Sequence, residues 1–183
     1  MENQEEQTNE MSIEQVNEEK AVTINQDKLN QYVEKLKLNQ NLTFGFVCGL
    51  AAAIVGALLW AVITVSTQYQ VGYMAVAVGL LVGYAIKISG KGIDKIFGIM
   101  GASLALFGCL LGNLLGIVGF IANDLGVGYS AALSIINFST IPALMKESFG
   151  PIDLLFYGLA IYEGYKFSFR QMTEQEIVDN AAE

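Results

Sequence analysis

Apolar side chains are concentrated in long runs from Leu42 onward, separated by short polar breaks, whereas residues 1–41 are largely polar. Residues 1–25 form a Glu-, Gln- and Asn-rich tract without periodicity, the composition of a disordered acidic tail that buries too little apolar surface to fold. Across residues 26–41, Leu29, Tyr32, Val33 and Leu36 recur at helical spacing and predict a short amphipathic juxtamembrane helix. The first long apolar run, residues 42–66, rises about 37 Å as a helix, enough to cross a hydrocarbon core of about 30 Å with some tilt. Further runs at 71–88, 96–122 and 152–169 predict three more crossings. The polar breaks at 67–70 and 89–95 are hairpin-sized, and Gly90 and Gly92 in the second of them stop a helix.

Residues 123–151 are apolar only in patches and carry Ser130, Ser134, Asn137, Ser139, Thr140 and Pro142. They read as an outer loop, with three placements open: an amphipathic helix in the interface, a re-entrant segment, or a fully exposed loop. Residues 171–183 are a polar C-terminal tail. The fold class expected is all-α, an integral membrane four-helix bundle with a disordered N-terminal tail and one membrane domain over residues 42–170.

Composition reinforces this pattern. Of 183 residues 53% are hydrophobic and only 15% charged, against roughly 25% charged in a soluble domain. The formal net charge is −8, which argues against a nucleic-acid partner because phosphate binding needs a basic face. With no histidine, imidazole bases, Ser-His or Cys-His pairs and histidine metal sites are excluded. The first residues have no apolar stretch of the signal-peptide kind, and the run from Leu42 is too long for one. Cys48 and Cys109 lie in apolar runs without CxxC spacing, the setting of inert buried thiols.

The basic residues set the topology. Four crossings place Lys20, Lys28, Lys35, Lys37, Lys87, Lys91, Lys95, Lys166 and Arg170 on one side, nine of the ten, and only Lys146 on the other. By the positive-inside rule both termini are cytoplasmic, and a fifth crossing through 123–151 would spoil the pattern. Trp60, Tyr69 and Tyr73 then fall at the outer boundary, where amphipathic rings sit.

Within the apolar runs the strongest pattern is a seam of small residues: Gly98, Gly101, Ala105, Gly108, Gly112, Gly116 and Gly119. Steps of three and four keep them on one helix face, where they permit close helix packing in lipid. Gly45, Gly49, Ala53 and Gly56 form a matching stripe, and Gly79 and Gly83 a shorter one. Asn113, mid-run, fits a helix-to-helix hydrogen bond. Glu163 is an intramembrane carboxylate, expensive unless paired, and Lys87 near the same face is its natural ion-pair partner. The carboxylates Asp94, Asp124, Glu147 and Asp153 are scattered, so no acid–base pair assembles, and no catalytic, cofactor-binding or metal residue is expected.

The stretches 72–115 and 148–170 resemble uncharacterised bacterial four-span inner-membrane proteins such as occur in Bacteroidota. The resemblance covers about 42–170 and is carried by Trp60, Gly72, Tyr73, Gly79, Gly83, Lys91, Gly92, Cys109, Gly112, Asn113 and the run Tyr162-Glu163-Gly164-Tyr165. It implies a multi-pass location in a bacterial inner membrane and supplies no catalytic residue. The function expected is a non-enzymatic scaffold, accessory subunit or assembly factor, with the bilayer, other membrane proteins or a second copy as partners. The alternative is a small-solute or ion channel or transporter using Asn113 and Glu163, with a membrane-embedded enzyme a distant third.

Overall fold

The computed structural model describes residues 25–69, 72–137 and 139–181. The acidic tract at 1–24, with Lys20, lies outside the described residues. The described residues form eight helices and no strand: α1 (Gln26–Leu38), α2 (Leu42–Thr67), α3 (Met74–Gly90), α4 (Lys95–Leu125), α5 (Tyr129–Ile135), α6 (Ile141–Ser148), α7 (Pro151–Phe167) and α8 (Glu174–Ala181). Residues 39–170 make up one compact unit, and α1 with α8 belongs to another.

In the larger unit the helix boundaries follow local chemistry. The side chain of Asn41 caps α2, accepting from the Phe44 amide at 2.8 Å. Helix α2 ends at Gln68 in the left-handed region, and α4 ends at Gly126, whose φ of +63° favours a residue without Cβ. Pro151 opens α7, and the Gly150 amide donates to the Asp153 carboxylate at 2.8 Å. The 26-residue α2 and the 31-residue α4 are long and apolar enough to cross a membrane. Helices α3 and α7 have 17 residues each. Thus α3 runs from 74 to 90 where 71–88 was expected, and α7 stops at Phe167 where 169 was expected.

Four helices pack side by side in the order α2, α3, α7, α4, with α3 and α4 also touching across the middle. Contacts ascend together on α2 and α4, where Ala53 lies at Gly108 and Thr64 at Gly116. On α3 and α7 they ascend together again, from Gly79 at Ala160 to Gly83 at Phe167. Neighbours in sequence therefore alternate in direction. The core between them includes Trp60, Val78, Val82, Ile86, Phe97, Leu104 and Tyr157. Residues 123–151, expected as a loop, extend α4 to Leu125 and then form α5 and α6, both against α4. Ala132 of α5 packs with Val118 and Ala122 in a second apolar cluster.

One turn holds much of the α3–α4 end. Gln40, just before α2, accepts from the amides of Ile93 and Asp94 and donates to the Asp94 carboxylate at 2.7 Å. The Asn41 amide donates to the Gly90 carbonyl, and the Arg170 amide to the Gly92 carbonyl. Gly92 leaves no space for a side chain, because the Phe97 ring lies where its Cβ would stand. In the smaller unit α1 packs on α8. Leu36 is buried and Leu29, Tyr32 and Val33 are half-buried, the apolar stripe of α1.

Candidate functional site

The seven small residues of the α4 seam are all buried, but they face two different helices. A Cβ on Gly98 would run into the Phe169 and Tyr165 rings, and one on Gly101 into the Gly164 carbonyl and the Ser168 hydroxyl. In return, a Cβ on Gly164 would lie 2.6 Å from the Gly101 carbonyl oxygen and 2.7 Å from Ala105 Cβ. This half of the seam belongs to α7. Gly108 meets Ala53 and, closer still, Val78 of α3; Gly112 meets Ala57 and Trp60, Gly116 meets Thr64 and Gly119 meets Val65, so the other half belongs mainly to α2. The α2 stripe faces α3 as well: Gly49 lies on Ile86 and Gly56 on Val78. On α3, a Cβ at Gly79 would stand 2.6 Å from the Ala160 carbonyl oxygen.

Above the Gly101–Gly164 crossing lies a cluster of buried polar groups. The Tyr157 hydroxyl donates to the Cys109 carbonyl at 3.2 Å, and the buried Asn113 lies one turn further along α4. The Cys109 thiol donates to the Ala75 carbonyl of α3 at 3.8 Å, and Cys48 and Cys109 are both free thiols. The Tyr157 ring is held edge-on by Trp60, centroids 6.4 Å apart, and by Phe149 at 5.0 Å. Asp153, one turn before Tyr157, is also buried. Trp60 is only 1% exposed, so it is a core residue and not a ring at the outer boundary, while Tyr69 and Tyr73 are exposed.

Glu163 sits apart from this cluster. Its carbonyl faces Gly83 of α3, level with the Gly101–Gly164 crossing. The two groups are not brought together: Gly101, beside Gly164, precedes Asn113 on α4 by about 18 Å of helix rise. The Lys87–Glu163 ion pair expected from sequence is not formed. Lys87 Nζ lies 5.7 Å from the centroid of Tyr84, whose ring stacks on Phe167 at 5.4 Å. Glu163 Oε2 is buried without a hydrogen-bond partner, and Lys166 Nζ lies over the Tyr162 ring at 5.5 Å. The reason is register. Gly83 is level with Glu163, which leaves Lys87 a full turn further along, where the aromatic stack supplies its contact.

Two participants escape a reading of the sequence alone. Asp153 looked like one of several scattered carboxylates, although its spacing of four from Tyr157 was a usable signal. Gln40 looked like a polar residue at the end of a lead-in helix. Among the described residues no group of three Cys, Asp or Glu side chains gathers to hold a metal ion. No protein-family model, curated protein or solved structure matches the chain.

Proposed function

We propose that this protein crosses a bacterial inner membrane four times, through α2, α3, α4 and α7, with both ends cytoplasmic, and acts there as a non-enzymatic scaffold, accessory subunit or assembly factor. The length and apolarity of α2 and α4 support the membrane location. Helices α3 and α7 rise about 25 Å each and pack against both of the longer ones or their neighbours in alternating directions. The packing of α1 on α8 supports an even number of crossings, since the two ends of the chain must share a compartment to meet. So does the charge pattern, nine of ten basic residues on one side.

The observation that carries the scaffold function is the closed interior. Asn113 is 3% exposed, and the gap beside it, bounded by Trp60, Thr64, Gly112 and Phe120, has no volume for a water molecule. Glu163 is level with the close approach of α4 and α7 at Gly101 and Gly164, about 18 Å of helix rise from Asn113. Tyr157 and Cys109 fasten helices to one another through backbone carbonyls, and Asn113 lines no water-sized space. Such a protein acts through its surfaces and its cytoplasmic helices. Single cysteines at positions 113 and 163, in a Cys48→Ser, Cys109→Ala background, test this in native membranes. A water-soluble maleimide should label neither, and tagged chain should co-purify with a stoichiometric companion. Labelling at both positions would replace the scaffold with a channel or transporter.

A further inference from the structure

We propose that the outward groove between α2 and α4 holds one acyl chain of an anionic phospholipid from the cytoplasmic leaflet, with the lipid phosphate at Lys91 and Lys95. This rests on the four-crossing arrangement above. The groove opens at the start of both helices, where Leu42, Phe46, Ile96 and Ile99 wall a space of about 400 Å³. Sharing Phe46 and Met100 with it, a second space of about 390 Å³ continues along Leu50, Ser103 and Phe107. Both are lined almost wholly by apolar groups.

Its length argues for a lipid tail. From Ile96 to Phe107 the helix rises about 17 Å, and one leaflet of the hydrocarbon core is about 15 Å thick. The groove therefore begins at the inner boundary and ends near the bilayer midplane. Its mouth argues for a negative head group. Lys95 is the first residue of α4 and Lys91 closes α3, both exposed, while the neighbouring acid Asp94 is engaged by Gln40. Lysines near a membrane surface attract anionic lipid head groups. A second copy of the chain fits less well. Every glycine of α2 and α4 is buried inside the bundle, so neither helix offers one on its outer face for close helix approach. The corresponding outer-half space, about 300 Å³ between Leu58, Val62 and Leu115, is smaller and has Tyr129 in its wall, whose hydroxyl donates to the Leu115 carbonyl.

Native mass spectrometry of the detergent-released full chain, titrated with phosphatidylglycerol or phosphatidylcholine, tests the site. One phosphatidylglycerol per chain should be retained, with a preference of about tenfold over phosphatidylcholine. The double variant Lys91→Ala, Lys95→Ala should lose that preference, and Ser103→Trp, which fills an exposed position in the groove, should lose the lipid. Equal retention of the two lipids by the unmodified chain, or unchanged retention by Ser103→Trp, would overturn the proposal. So would a lipid-free mass of two chains, which would show a second copy in the groove. Alkaline carbonate extraction separates the underlying failure: release of the chain from membranes would refute the crossings themselves, whereas a chain that stays but shows no lipid preference refutes only this site.

Discussion

The two halves of the α4 seam have the same spacing of small residues and make different kinds of contact. Along Gly98, Gly101 and Ala105 the partner is α7, and at Gly101 both helices offer glycine at the same level, so carbonyl groups meet the facing backbone. From Gly108 to Gly119 the partner is chiefly α2, with Val78 of α3 also at Gly108; Gly108 and Gly112 meet the Ala53 and Ala57 backbone, and the side chains of Trp60, Thr64 and Val65 fill much of the space further along. A stripe of small residues permits approach. The neighbour decides whether that approach becomes a backbone crossing or a socket for side chains.

The sharpest way to break this comparison is Gly101→Val. Its Cβ falls on the Gly164 carbonyl and the Ser168 hydroxyl, so the helices must part, and we expect a loss of about 3 kcal/mol or more in the detergent-solubilised protein. Gly164→Ala meets the Gly101 carbonyl from the other side and should cost about 2 kcal/mol by the same unfolding measurement. An unchanged melting temperature for both would erase the distinction between the halves. Tyr157→Phe keeps the ring between Trp60 and Phe149 but removes the hydroxyl from the Cys109 carbonyl. Losing the bond to the Cys109 carbonyl should cost about 1 kcal/mol, read by the same method. Gly116→Ala places a methyl 3.3 Å from the Thr64 methyl carbon, and the expected change is within about 0.5 kcal/mol of zero. Glu163→Gln sharpens the register argument: with no ion pair to lose, its melting temperature should stay within about 2 °C of the parent.

Hydropathy runs located the helices because a long apolar stretch has few alternatives. The starts at Leu42 and near Ile96, the break around Gly90 and Gly92, and the amphipathic α1 were all legible. The seam was legible as a face, since all seven small residues are buried. Its division between α7 and α2 was not, because periodicity records which side of a helix is small and says nothing about what stands opposite. The same limit produced the Lys87–Glu163 pair: two charges near one end of two helices pair only if the helices are in register, and Gly83, not Lys87, is level with Glu163. Trp60 was misassigned to a boundary because its place in the run was read without its neighbours, although Gly112 leaves the hollow its ring occupies. The short helices α5, α6 and α8 carry too few apolar residues for a periodicity to emerge, and they take their order from what they pack against.

The Gln40 bracket has a consequence for how the chain is built. Its partners, Ile93 and Asp94, are made more than fifty residues later, after two helices and both intervening turns. The position at which α2 enters the bundle is therefore fixed only when the second hairpin has emerged from the ribosome. Until then α2 is held by its contacts with α3 alone, at Gly49 and Gly56, and the Gln40 bracket is a late lock on an early element.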